Sequence, residues 1–220
     1  MRIFVVAQSA MEPFIDIHSH HPLGSNLGLR NYRLGIDTAP PSEPFSAGIH
    51  PWDVDNITNH DGLLAELEQI NCLAIGEIGL DKARTSDLAR QQELFERQLE
   101  IAARRQLPVI IHCVKSTAEI VAALTRHPLW AVILHGFIGS AQQTRQLTEH
   151  GYYLSFGFGA LRSPRTIEAL KECPSSALLL ETDTSNAPIS ELYTEVAKLR
   201  STTVQKLITE INNNYTKIFK

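Results

Sequence analysis

Cysteine is scarce and basic charge is not in excess. The 220 residues include three cysteines, Cys72, Cys113 and Cys173, far apart and without a CxxC pair. That pattern excludes a disulfide framework and a thiolate zinc knuckle, and it suits a reducing compartment, so a cytoplasmic location is expected. Net charge is −4, from 20 Lys and Arg against 24 Asp and Glu. A protein that grips long duplex DNA by its phosphates carries a basic face, so any nucleic-acid contact here should be local. No apolar run approaches the ~20 residues of a membrane-spanning helix, and no membrane partner is expected. The opening "MRIFVVAQSAMEPF" is too weakly apolar for a secretory leader. Residues 1–13 are read as an extension or a lead-in to the first strand, with Met11 an alternative start. Apolar residues reach 43%, enough for a core, and one domain spanning residues 1–220 is expected.

From residue 61 onward, helical periodicity alternates with short apolar runs. "DGLLAELEQI" reads as a helix and "CLAIGEI" as a strand. Residues 86–106 form the longest helix, with Leu88, Phe95, Leu99 and Ala102 on one stripe and Pro108 beyond its end. "VIIH" is a strand, and "STAE" opens a helix with Ser116 and Glu119 as a capping box. "WAVILH" is a strand with Trp130 in the core. A helix over 140–150, the strand "YYLSFGFG", a helix over 163–172 and the strand "SALLLETD" follow. Two helices, around 190–200 and 203–218, close the chain. Near-continuous apolar strands between helices imply a parallel sheet covered on both faces. The fold class expected is α/β, a TIM-like (β/α) barrel, with an open doubly wound sheet as the alternative. Residues 21–44 hold Gly, Pro and Asn but no helical pattern. The barrel is therefore expected to be shortened or incomplete between the first strand and "AGIHPW".

Polar residues that can bind metal finish these strands. "FIDIHSHH" places Asp16, His18 and His20 at alternate positions, on one side of an extended chain. "AGIHPW" ends in His50, "IGEI" in Glu77, "VIIH" in His112, "VILH" in His135 and "LLLETD" in Asp183. In a parallel barrel the carboxyl ends of the strands converge on one site. Five such histidines and three carboxylates would repel or lack solvation without a cation. Imidazole with carboxylate and no thiolate suits Zn²⁺, Mn²⁺ or Mg²⁺. Eight groups exceed one coordination sphere, so two divalent ions bridged by one carboxylate are expected. A lone His after a strand is more often structural, and it is the convergence that carries the reading.

The motifs "DIHSH", "GIHPW", "GEIGLD", "LPVIIHC", "LHGFIGS" and "ETD", in that order, resemble the TatD family of metal-dependent deoxyribonucleases, within the amidohydrolase-like barrels. The resemblance covers about Phe14 to Phe219. It implies that His18 and His20 bind the first ion, that Glu77 bridges, and that His112 and His135 bind the second. It implies that Asp183 sits at the first ion and acts as acid and base, and that His50 contacts substrate phosphate. Asp16 either ligates or orients a histidine. Where the family carries Arg two residues after the "VIIH" histidine, Val114 stands here and Lys115 follows, read as a phosphate contact, with Arg162 as a further one. Trp52 is as able to stack a base as to pack under the barrel rim. The activity implied is a two-metal phosphodiesterase acting on DNA, with single-stranded ends the expected partner. The alternative is an amide or ester hydrolase acting on a small molecule. The sequence sets no oligomeric state.

Overall fold

The longest helix shows how the sequence stops and starts its elements. In the computed structural model, which describes residues 12–84 and 87–219, it runs over Leu88–Arg105. Asp87 caps it by accepting from Ala89 N (2.9 Å) and Arg90 N (3.3 Å), and Arg104 and Arg105 face the negative end of its dipole. Gln106 ends it in the left-handed region at φ 53°, two residues before Pro108. Its buried face includes Leu94, Phe95, Leu99 and Ala102. Removing the Phe95 ring, 1% exposed, would cost about 3–5 kcal/mol.

Eight parallel strands pair in chain order among the described residues. They are β1 (Ile15–Ser19), β2 (Leu27–Arg33), β3 (Phe45–Gly48), β4 (Ala74–Asp81), β5 (Val109–Val114), β6 (Val132–Leu134), β7 (Tyr153–Phe156) and β8 (Leu178–Leu180). Seven helices are placed around them: α1 (His60–Gln69), α2 (the Leu88–Arg105 helix), α3 (Thr117–Leu124), α4 (Ala141–Glu149), α5 (Pro164–Glu172), α6 (Ile189–Leu199) and α7 (Val204–Ile218). The seam between the last strand and the first is joined just past β8, where His20 N donates to Asp183 O (2.9 Å) and Asp183 N to His18 O (3.0 Å). The alternative of an open doubly wound sheet, with its reversal of strand order, is thereby excluded.

The strand set is complete, so of the two expectations, a shortened or an incomplete barrel, the first is the one that holds. What is short is the wrapping. Residues 20–26 and 34–44 return the chain to the next strand with no helix, among the described residues. β2 eludes a sequence reading because "LGLRNYR" puts Arg30, Asn31 and Arg33 in a strand, each held by a partner elsewhere in the fold. Two glycines permit close strand approach. A Cβ on Gly28 (φ +145°) would lie 1.7 Å from Asp16 O, and one on Gly79 (φ +146°) 2.0 Å from His112 O. Gly28 borders the register shift of its ladder and Gly79 follows that of its own, and at those distances neither position admits a side chain.

Other expectations change locally. Ser116 does not form a capping box: its hydroxyl donates to Leu80 O at 2.9 Å, while Glu119 pairs with Lys82. A capping box instead opens α4, between Ser140 and Gln143. Trp130 is 52% exposed rather than core, its indole N–H donating to Ile218 O. β4 does not stop at Glu77 but continues to Asp81. Residues 1–11, and with them the reading of Met11, lie outside the described residues, as does the expected helix start at Ser86.

Candidate active site

The carboxylate of Glu77, 3% exposed in β4, stands at the centre of the barrel mouth with an imidazole group on each oxygen. Oε1 lies 2.7 Å from His112 Nδ1, 2.7 Å from His135 Nε2 and 3.0 Å from His50 Nε2. Oε2 lies 3.4 Å from His18 Nε2 and 3.7 Å from His20 Nε2. Asn31 of β2 holds the residue in place, its Oδ1 accepting from Glu77 N (3.1 Å) and its Nδ2 donating to Oε2 (3.3 Å). Burial alone would push the Glu77 carboxyl up. His135 and His112 outweigh it and hold the group well below the usual carboxylate range, so Glu77 is ionised.

The Oε1 side is braced by further carboxylates. His135, just past β6, has its Nδ1 3.3 Å from Glu181 Oε1, and that oxygen also accepts from Gly136 N (2.7 Å). Burial opposes a charge on His135, but Glu77 and Glu181 win and hold its pKa well above the imidazole range. The proton on His135 thus supplies positive charge that a metal ion would replace on binding. His112 of β5 has its Nε2 3.1 Å from Asp81 Oδ2, and the same oxygen accepts from Trp52 Nε1 (2.7 Å). Trp52 N donates to His50 Nδ1 (3.0 Å), and burial depresses the His50 pKa. A neutral His50 therefore carries its proton on Nε2 and donates it to Glu77. Two buried glutamines of α2, a step of seven apart, brace these strand ends. Gln98 bonds Ile49 N and O beside His50, and Gln91 bonds Asp81 N and O.

The Oε2 side is more open. His20 Nε2 lies 3.4 Å from Asp183 Oδ1, and His18 Nε2 3.9 Å from it. The Asp183 side chain is 38% exposed. Asp183 itself is held in the left-handed region at φ 53°. Asp16 does not touch a histidine ring among the described residues. It grips the neighbour of Asp183, accepting from Thr182 N (2.9 Å) and Thr182 Oγ1 (2.7 Å). Burial pushes its pKa up to about 6, against those two hydrogen bonds.

The donor set fits a metal. Three triads have their ligand atoms within 4.8 Å of one another: His18–Glu77–His135, His18–His20–Asp183 and His50–Glu77–His112. His18 is fully buried, yet neither of its ring nitrogens makes a hydrogen bond among the described residues. A buried polar atom without a partner is costly, and a cation between His18 Nε2 and Glu77 Oε2 would remove that cost at Nε2.

The structure brings His18, His20, His50, Glu77, His112, His135 and Asp183 to one place, and sets Asp16 just behind them. Lys115 is not among them. It follows β5 at φ 54°, exposed and with no hydrogen bond or ion pair among the described residues. His50, expected to face a substrate phosphate, has its Nε2 turned onto Glu77 instead. Arg162 lines a cavity of about 420 Å³ together with Phe158, Glu181 and Asp183. A second recess of about 410 Å³, lined by His20, Arg30, Tyr32 and Thr38, opens toward the helix-free returns. Sequence reasoning missed Asn31, Asp81 and Glu181. The signal for the two acids was present, since each lies in an apolar strand motif that also carries a singled-out residue, "GEIGLD" and "LLLETD".

Comparison with known proteins bears on the family and the fold. The family model described as TatD related DNase matches residues 38–220. An uncharacterized metal-dependent hydrolase of Haemophilus influenzae is 35% identical over 66% of this chain and 60% of its own length. The 3'-5' ssDNA/RNA exonuclease TatD of Salmonella typhimurium is 34% identical over 73% of this chain and 65% of its own. The chain thus spans under two thirds of those two relatives. A crystal structure of the YjjV TatD homolog from Escherichia coli has a TM-score of 0.79 at 25% identity, covering 96% of this chain and 99% of that one.

Proposed function

The chain belongs to the TatD related DNase family, and on that premise we propose that it is a metal-dependent hydrolase that cleaves phosphodiesters of single-stranded DNA. The observation that carries the reading is the buried Glu77 carboxylate, whose two oxygens face separate imidazole groups. We assign one ion to His18, His20, Asp183 and Glu77 Oε2, and a second to His112, His135 and Glu77 Oε1. Zn²⁺, Mn²⁺ or Mg²⁺ suits this donor set. Bound divalent ions supply Lewis acidity there, easing deprotonation of water and neutralising charge on the phosphoryl oxygens.

The remaining work falls to the protein. Asp183, half open to the cavity beside it, takes the proton from the attacking water and returns it to the leaving oxygen. Asp16 fixes the Thr182 backbone and so the aim of Asp183. Glu181 and Asp81 orient His135 and His112 from behind, as carboxylates behind metal-binding histidines do. His50, donating to Glu77, keeps that carboxylate directed into the mouth. Arg162 reaches the substrate phosphate from the cavity wall.

A second reading, a small ester or amide substrate, is favoured by the size of the cavity beside Asp183, which suits a small molecule. The recess on the His20 side favours the longer substrate, because it leaves room on both flanks of the β8–β1 seam. Incubating the metal-loaded protein with a short DNA strand and with a panel of small esters and amides decides between them. Cleavage of the oligonucleotide is expected. Turnover of esters or amides with an intact oligonucleotide would overturn the nuclease reading. No helix of the described residues is long and apolar enough to cross a membrane.

A further inference from the structure

Several cations around the barrel mouth are already neutralised. Arg33 is 2.6 Å from Asp53, Arg30 3.4 Å from Glu43, and Lys82 is paired with Glu119. Arg84 differs. It makes no ion pair among the described residues, and its guanidinium carbon lies 3.9 Å from the centroid of the Trp52 ring. Trp52 is itself fixed. Its N–H bonds Asp81 Oδ2 (2.7 Å), and its ring meets those of His50 and His112 edge-on, at 4.8 and 5.6 Å between centroids. Arg84 is therefore an exposed cation one indole away from His112, held on a platform tied to the Oε1 side of the site. A guanidinium stacked on an aromatic face keeps its in-plane N–H groups free, and those donors match the oxygens of a phosphate. Lys115, the cation expected here from the sequence, is exposed and has no such platform.

We propose that Arg84, stacked on Trp52, is the anchor for a backbone phosphate next to the scissile one, on the His112 side of the metal centre. The proposal rests on the nuclease reading and sharpens it: the substrate class is an oligonucleotide with at least two phosphates, and Arg84 positions it without touching the reacting atoms. Loss of a single phosphate contact weakens binding whatever the base sequence, and lowers the salt dependence accordingly.

The test compares wild type with Arg84→Gln and Arg84→Lys. Binding of a fluorescein-labelled phosphorothioate decathymidylate is read by polarisation over a range of salt, and kcat and KM are measured on decathymidylate and on a dinucleotide that has only the scissile phosphate. Arg84→Gln is expected to weaken decathymidylate binding about tenfold and to reduce the slope of log affinity against log salt by about 0.7. KM for decathymidylate should rise while kcat changes little, and the dinucleotide should be affected much less. Arg84→Lys, which keeps the charge but loses the planar fork, should keep the salt slope and recover part of the affinity. An unchanged affinity and slope in Arg84→Gln would overturn the anchor, as would an equal loss on decathymidylate and dinucleotide. A wild-type protein that hydrolyses small esters but binds no decathymidylate would overturn the nuclease reading, and the anchor with it.

Discussion

The two faces of Glu77 are built differently. On the Oε1 side, His112 and His135 are backed by Asp81 and Glu181, and α2 reaches in with Gln91 and Gln98 to fix the strand ends. On the Oε2 side, His18 has two bare ring nitrogens, His20 and Asp183 are partly exposed, and the neighbouring returns after β1 and β2 have no helix. One face is preorganised by neighbours that leave little freedom. The other is open, as the proposed passage of substrate, water and protons would require. Preorganisation favours tight metal binding, while an acid that must pass protons has to meet solvent. On the two-ion assignment proposed above, the ions should therefore differ in affinity, the Oε1-side ion being the tighter.

The largest effect should come from the group both faces share. Glu77→Gln places a neutral amide where the proposed pair of cations would need a charged bridge, so metal analysis should find both ions lost and turnover at background. His112→Ala combined with His135→Ala should remove one ion only and keep the fold. Full double occupancy in that double variant would break the division into two faces.

Asp183→Asn comes next. Asn keeps an oxygen that can still ligate but cannot carry a proton, so turnover should fall by about 10²–10⁴-fold with much of the metal retained. A near wild-type rate would remove Asp183 from the role of acid and base.

Glu181→Gln and Asp81→Asn address the bracing alone. Each should weaken metal affinity about 10–100-fold, and only on the Oε1 side. Titration with a chelator should therefore show the tighter class of metal becoming weaker, and the other class unmoved. Loss spread evenly over both classes would mean that bracing is not what separates the faces.

The smallest effect on turnover should come from Asp16→Asn, because an amide can still bond Thr182. Its signature is in stability. The Asp16 pKa is raised by burial to about 6 from 3.8, so between those values the folded state holds a proton that the unfolded state has released. Stability supported by that proton falls as pH rises through this window, and above about pH 6 the buried charge is carried in full. Asn has no such charge. In EDTA-treated protein, the melting temperature of Asp16→Asn relative to wild type should therefore climb between pH 4 and 7, by the equivalent of up to about 3 kcal/mol. A pH-independent difference would show that burial does not raise the Asp16 pKa above its unfolded value.

Much of this site was legible beforehand, and particular residues show why. His18, His20, His112, His135 and Asp183 each follow or end a short apolar run, and strand periodicity with the rule of convergent carboxyl ends is enough to send them to one mouth. β2 was hidden because its apolar alternation is broken by Asn31, which turns to Glu77, and by Arg30 and Arg33, whose charges are met by Glu43 and Asp53 from distant segments. Periodicity cannot register a polar residue whose partner lies on another strand.

The sequence by itself determined the parallel α/β class, the strand ends at which metal-capable side chains gather, and the donor types that suit divalent ions, since all three follow from local pattern and side-chain chemistry. Only the tertiary structure decided which groups face which. It set His112, His135 and His50 on one oxygen of Glu77 and His18 and His20 on the other, placed Asp81 and Glu181 behind the histidines, turned Asp16 onto Thr182, and laid Arg84 on Trp52. Those pairings depend on strand register and on the approach of β1 to β2 and of β4 to β5 at Gly28 and Gly79. Register across a barrel is a property of the closed sheet, because each strand's height is fixed by its neighbours on both sides and by no residue alone.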